Sequence, residues 1–282
     1  MPRLTVVGSV NLDLVMRVPR LPVAGETVTD GQYSRHPGGK GANQALAARR
    51  MEADVSLIAA VGDDETAESA LSLLEEAAVD LSRCWVHETL PTGVAVILVD
   101  AHGENQIAVA PGANRSLTAE VLELGGDEAV ICQLEIPIET VQAAAASTTG
   151  FFCLNAAPAR TVPKDVLKRA DVVVVNEVEH ATIGVDLSEI PGLVALTLGS
   201  MGATLYRHGR AVARATPPPV DVVDTVGAGD CFVAALTVSL LEGLSPELAL
   251  QRAVIAGALA TTVEGAQPSM PTRAEVDALM AS

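Results

Sequence analysis

The stretch Asp224-Thr225-Val226-Gly227-Ala228-Gly229-Asp230 combines the residue types and spacing that phosphoryl chemistry needs. Gly227 and Gly229, one alanine apart, let the backbone turn tightly and come close to a ligand. The apolar pattern at 231–241 reads as a long helix. Its open start would carry the N–H groups of Gly227, Ala228 and Gly229, where aligned peptide dipoles favour an anion. Asp230 falls in the first turn, beside that anion site. A carboxylate there can take the proton of a hydroxyl that attacks a phosphate. The plainer alternative is a glycine turn followed by an acidic helix start.

Two further groups stand near the N-terminus. Asn11 and Asp13 follow the apolar run 4–7 and Gly8, and in an extended segment they face the same side. Together they offer acceptors and an amide donor, which suit vicinal sugar hydroxyls. The spacing after Gly8 is not the G-x-G-x-x-G of a dinucleotide fold. Pro37-Gly38-Gly39-Lys40-Gly41-Ala42-Asn43-Gln44 opens a helix running to about Met51. Its glycines again permit close approach, and Asn43 in the first turn can add a side-chain contact. It is not a Walker A loop, because Gly41 follows Lys40 and no glycine lies five positions before it.

These groups need a scaffold, and the rest of the chain describes one. Apolar runs at 55–61, 129–134, 151–154, 172–175 and 193–198 read as strands, with helical patterns at 65–78 and 138–146. Strands alternating with helices predict an α/β fold: an open, mostly parallel sheet with helices on both faces. Aromatics make up 2% of the chain and apolar residues 49%, so the core must be built from Ala, Val and Leu. The Asn11/Asp13 pair, Glu135, Asn155, Asn176, Gly199 and the 227–230 loop all follow C-terminal ends of expected strands. In an open parallel sheet those ends form one rim, where ligands bind.

Two pieces leave this rhythm. Residues 14–37 hold Pro19, Pro22, Gly25, Gly31 and Pro37 around β-prone pieces such as 26–29. Residues 93–110 alternate around Val94, Val96 and Leu98, turn at 100–105 and return. They read as one small sheet, a β-lid, outside a main domain of residues 1–13, 38–92 and 111–282.

On these residues the chain resembles the ribokinase (PfkB-type) carbohydrate kinase family. The resemblance rests on 8–13, 38–44 and 224–230, and on Gln133-Leu134-Glu135, Asn176-x-x-Glu179, 197–200 and Gly265-Ala266-Gln267-Pro268-Ser269. It spans nearly the whole chain in order. It implies ATP-dependent phosphorylation of the primary hydroxyl of a small sugar. The 38–43 and 265–269 stretches are most like members that convert D-ribose to D-ribose 5-phosphate. Asn11, Asp13, Gly39, Lys40, Asn43 and Glu135 would hold the sugar, and Asp230 would be the base. Gly227, Ala228 and Gly229 would form the anion hole. Asn176, Thr197, Gly199, Ser200, Gly202 and Gly229 would meet the nucleotide. Glu179 would organise Mg²⁺ through water. Asp224, Ser269 and the carbonyls of Val226, Ala260, Val263 and Gly265 would surround a monovalent cation, usually K⁺. The lid would also form a homodimer contact.

The chain departs from the family pattern twice. The 180–196 segment is short, and Val254 stands where a polar residue usually faces the adenine. A sibling kinase for another sugar or a nucleoside is the rival enzyme reading, and a non-catalytic sugar or nucleotide sensor the rival of another class. The scarcity of aromatics near the lid disfavours a nucleoside, and a sensor has no use for Asp230.

Composition narrows the partners. A net charge of −17 disfavours nucleic acid and anionic membranes. It allows an anionic nucleotide held by helix N-termini and a cation. The four cysteines are scattered, as expected of thiols in a reducing cytoplasm. The start of the chain shows no signal-peptide pattern, which also fits a cytoplasmic protein. Residues 140–159 read as a core helix and strand, not as a membrane span.

Overall fold

The computed structural model describes residues 1–126 and 128–281 of the 282-residue chain. In chain order the strands are β1 (Arg3–Val7), β2 (Asn11–Arg17), β3 (Gln32–Gly38), β4 (Asp54–Gly62), β5 (Cys84–His87), β6 (Gly93–Val99), β7 (Asn105–Ala110), β8 (Val130–Cys132), β9 (Phe152–Asn155), β10 (Val172–Asn176), β11 (Leu193–Thr197), β12 (Ala203–Arg207) and β13 (Arg210–Ala215). The helices are α1 (Lys40–Arg50), α2 (Glu65–Glu76), α3 (Ile138–Ser147), α4 (Lys164–Arg169), α5 (Glu177–Ile183), α6 (Ala228–Leu241), α7 (Pro246–Ala260) and α8 (Arg273–Met280).

The strands form a nine-stranded sheet, β13-β12-β11-β10-β9-β8-β1-β4-β5, and a four-stranded sheet, β3-β2-β6-β7. The large sheet is parallel from β5 to β11, and β12 runs antiparallel to both of its neighbours. From β1 the chain proceeds outward to β4 and β5 on one side, then returns to β8 and proceeds to β11 on the other. The strand order therefore reverses between β1 and β8, and a crevice at such a switch point is where ligands sit.

Alternation along each strand divides the core between the two faces. Val6, Leu57, Ile131, Cys153 and Val174 pack under α1, α2, α6 and α7. Val7, Ile58, Cys132, Phe152, Leu154 and Val173 pack under α3 and α4. Burial on both faces is why these strands read as unbroken apolar runs. Helix α6 is buried without a break from Asp230 to Ser239, and it lies against α1 and α7. A helix apolar all round must be central. Each fully buried Val or Leu on it contributes about 1.5–3 kcal/mol, so this burial anchors the start of α6, and with it Asp230.

The small sheet departs in detail from its sequence pattern. Residues 26–29 form no strand; β2 is flanked by β6 and by β3, which includes Pro37. Proline is tolerated because β3 is an edge strand. Asn11 and Asp13 lie in β2, so they belong to the small sheet rather than to a loop after β1. One face of this sheet carries Leu12 and Leu14, which join the core alongside α2 residues. Further along that face Met16, Tyr33 and Val96 are exposed, while Val94 and Leu98 are half-buried. The apolar face expected of Val94, Val96 and Leu98 is thus open mainly at Val96.

The apolar run 220–223 before the glycine loop also differs from expectation: it forms no strand. The 227–230 loop therefore does not follow a strand of the parallel sheet. It enters the same crevice from the N-terminus of α6.

Candidate active site

Asp230 is 6% exposed, and each of its oxygens accepts a hydrogen bond from a side-chain amide. Asn43 Nδ2 donates to Oδ2 at 2.9 Å, and Gln44 Nε2 donates to Oδ1 at 2.8 Å. Both donors come from the first turns of α1, which the 38–41 glycines bring against β1. A Cβ on Gly41 would lie 2.5 Å from backbone of Gly8 and Ser9, and one on Gly39 would lie 2.7 Å from Asn11 N. Gly39 also sits at φ 87°, which favours glycine. Close packing of backbone on backbone thus fixes where α1 begins.

The expected sugar-binding residues converge here. Asp13 is 8% exposed, and no described group donates a hydrogen bond to its carboxylate. Burial pushes its pKa up to about 7, helped by the nearby negative charges of Glu135 and Asp230 and opposed by Lys40. For Lys40, burial pulls the pKa down, but the charges of Asp230, Glu135, Glu179 and Asp13 outweigh it and hold it above its usual value. These mutual interactions place four carboxylates and one ammonium in one small space. Glu135 Oε2 is taken by Ser9 Oγ at 2.6 Å and by the Lys40 N–H at 3.1 Å. Buried Asn43 Oδ1 has no partner among the described residues.

Asn11 is oriented by Asn114, which lies just past the end of β7. Asn114 is 1% exposed, and its Nδ2 donates to Asn11 Oδ1 at 2.8 Å and to the Val10 carbonyl at 3.0 Å. The amide N–H groups of Asn11 are thereby turned away from Asn114. Gln44 and Gln133, both in stretches that carry the resemblance, were assigned no role. A polar residue inside an otherwise apolar segment was the available signal for both.

The 227–229 loop, expected to cradle an anion, forms the N-terminus of α6. Gly227 caps α6 at φ 82°, and a Cβ there would meet Ala266 Cα at 2.9 Å. Around Gly229 nothing lies within 4 Å of a built Cβ, so its backbone faces open space. A cavity of about 650 Å³ starts at that space. Thr197, Gly199, Ser200, Gly202, Gly229 and Val254 are among its lining residues. Val254, expected to face the adenine, lines this cavity. The hydroxyls of Thr197 and Thr261 are spent on the Val175 and Ala258 carbonyls. Asn176 and Glu179 cap α5 reciprocally, each accepting from the other's backbone N–H at 2.8 Å. Burial raises the Glu179 pKa, and the Lys40 and Asp230 charges both act on it, so its carboxylate belongs to the same electrostatic cluster.

The expected cation-site residues gather beside the cradle. Asp224 ties two loops together: Oδ1 accepts from Val226 N at 3.1 Å and Oδ2 from Gly265 N at 3.0 Å. No hydrogen bond reaches the carbonyls of Val226, Ala260, Val263 or Gly265 from any described residue. Ser269 Oγ donates to the Ala266 carbonyl at 2.8 Å, which leaves its lone pairs free. Among the described residues no His, Cys, Asp and Glu cluster of the kind that grips a transition metal exists. Oxygen ligands of this sort suit a hard cation instead.

The fold that carries these residues is shared with known proteins. The profile of the pfkB family carbohydrate kinases matches residues 1–273. The chain belongs to that family. It is 36% identical over 294 residues to the ribokinase of Bacillus subtilis, covering 99% of this chain and all of that one. The crystal structure of Thermotoga maritima ribokinase superposes over the full length of both chains, with a TM-score of 0.91 and 30% identity. The structure of Arabidopsis thaliana ribokinase complexed with ribose and ATP gives a TM-score of 0.84 at 31% identity over 100% of this chain and 99% of that one. The pfkB-type fold, with its parallel sheet and separate four-stranded sheet, is therefore shared across the whole chain.

Proposed function

We propose that this carbohydrate kinase transfers the γ-phosphoryl group of ATP to the primary hydroxyl of D-ribose, giving D-ribose 5-phosphate and ADP. The observation that carries the reading is Asp230: a buried carboxylate held by neutral amide donors, at a glycine-built helix N-terminus. Full-length similarity to ribokinases supports the substrate.

Asn11, Asp13, Gly39, Lys40, Asn43 and Glu135 hold the sugar. The unpartnered Asp13 carboxylate and Asn43 Oδ1 accept from its hydroxyls, and the Asn11 amide donates. Asp230 takes the proton of the primary hydroxyl as its oxygen bonds to the γ-phosphorus. The bond to the β–γ bridging oxygen breaks, and ADP leaves. The N–H groups of Gly227, Ala228 and Gly229 receive the charge of the transferring group. Asn176, Thr197, Gly199, Ser200, Gly202 and Gly229 line the nucleotide.

Glu179 would hold a hydrated Mg²⁺, which when bound would neutralise charge on the phosphates. Asp224, Ser269 and the free carbonyls of Val226, Ala260, Val263 and Gly265 fit K⁺, which when bound holds the two loops in register.

The lid is residues 14–37 and 93–110, and a homodimer forms on its open face around Met16, Tyr33 and Val96. A net charge of −17 supports function away from nucleic acid and anionic membranes, in the cytoplasm. Among the described residues no helix is long and apolar enough to cross a membrane.

A coupled ADP-release assay over a panel of sugars and nucleosides tests the reading. The highest kcat/KM is expected for D-ribose, with no ATP consumption in the absence of sugar. A preference for fructose or adenosine would assign the chain to a sibling kinase, and no turnover of any acceptor would leave a sensor.

A further inference from the structure

Gln44 and Gln133 have no part in the reaction as described so far, yet both are fully buried beside it. Gln133 follows β8 directly, at the switch point, and Gln44 lies in α1. Gln133 Nε2 donates to Gln44 Oε1 at 2.7 Å, and Gln44 Nε2 donates to Asp230 Oδ1 at 2.8 Å. The chain of bonds has one direction. If Gln44 turned over, its oxygen would face the Asp230 carboxylate and its N–H groups would face the donor of Gln133. Gln133 thus holds Gln44 in the orientation that gives its N–H to Asp230.

The arrangement carries a cost. Gln133 Oε1 is buried without a partner among the described residues, and it lies 2.0 Å from where a Cβ on Gly8 would stand. Buried amide oxygens are rarely left so. A glycine at position 8 gives Gln133 the room it occupies.

Resting on the reading of Asp230 as the base, we infer that Gln44, locked by Gln133, is a positioning residue for Asp230. It pins Oδ1 and stabilises the ionised carboxylate, while Oδ2, bonded to Asn43, is the oxygen turned to the sugar. Amides do not titrate in the working pH range, so the support is constant, and the carboxylate enters each turnover charged and aimed. Asn43 differs from Gln44 in having an unpartnered oxygen, which suits it to exchange its bond to Asp230 for bonds to sugar.

The test replaces each glutamine by methionine, which keeps the volume and removes the amide. Gln44→Met is expected to lower kcat about 10- to 100-fold, the effect of one hydrogen bond to a charged group. KM for both substrates should stay within about twofold. The acid limb of the kcat–pH profile should move up by about one unit, because the carboxylate has lost a donor that favours its charged form. Gln133→Met should act in the same direction and more weakly. The double variant should be no worse than Gln44→Met alone, whereas two independent packing defects would multiply. A merely structural role would lower the melting temperature and leave the acid limb in place; that result overturns the inference. Should Gln44→Met not fold, Gln133→Met decides alone, and an unmoved acid limb overturns it equally. The parallel Asp230→Asn variant separates the two ideas. If it is inactive while Gln44→Met is normal, the inference fails and the base assignment stands. If it is active, the base assignment itself fails.

Discussion

Asp13 makes the ligand-free protein sensitive to pH in a calculable way. It is 8% exposed and receives no hydrogen bond from any described residue. Its pKa stands at about 7 in the fold against 3.8 as the reference value. A folded-state pKa above the unfolded one means that the native state binds the extra proton between those values. Stability is then fully present below the unfolded pKa and is lost as pH rises through the folded one. At 1.36 kcal/mol per unit the full shift corresponds to about 4 kcal/mol. Glu135 and Asp230 share the same proton equilibrium, so a measured loss of about 1–3 kcal/mol between pH 4 and 8 is expected. Asp13→Asn removes the charge at constant shape. Urea unfolding of both proteins, without sugar, at several pH values from 4 to 8 checks this. The variant should be more stable than the parent at pH 8 by about 1–3 kcal/mol, with little difference near pH 4. It should also bind the sugar more weakly. A variant that is less stable at pH 8 would refute the reasoning, since it would show that ionised Asp13 finds compensation within the fold.

Four further outcomes follow from the cradle, the cation site and the lid. Gly229→Ala should keep or raise the melting temperature, since its Cβ meets nothing within 4 Å, yet raise KM for ATP by intruding on the nucleotide cavity. Gly227→Ala, at φ 82° and against Ala266, should lose about 1–2 kcal/mol of stability and most activity, as urea unfolding and ADP release would show. Potassium should raise turnover up to about 100-fold, and sodium less, the range in which one preorganised anion-hole donor acts; equal rates in potassium-free buffer would remove the cation site. Val96→Asp should convert a dimer to a monomer in light scattering behind size exclusion, and a dimer that survives it places the interface elsewhere.

How much the sequence disclosed depended on burial. The inner parallel strands lie between two helical layers, so their apolar runs were unambiguous, whereas β5, at the edge of the sheet with Trp85 and Val86 exposed, was not read. β12 and β13 were not read as strands, because an antiparallel edge hairpin with one wet face mixes Tyr206, Arg207, Arg210 and Arg214 among its apolar residues. Its turn at His208-Gly209 was the available signal. Residues 26–29 have β-prone side chains but no partner strand, and propensity without pairing decides little. The glycine loops and acidic groups of the site were legible because each needs a particular residue type at a particular place. The amides were not. Gln44 reaches Asp230, Gln133 reaches Gln44 and Asn114 reaches Asn11 across 186, 89 and 103 positions of sequence, and no local pattern announces such a contact.

The measurement that bears most directly on the account is phosphoryl transfer by purified Asp230→Asn, with D-ribose binding followed calorimetrically on the same sample. Loss of the base should lower kcat by about 10²- to 10⁴-fold, while circular dichroism shows an unchanged fold and ribose still binds. Turnover within a few-fold of the parent enzyme would contradict the account, because the oxygen of the sugar would then be attacking phosphorus without Asp230.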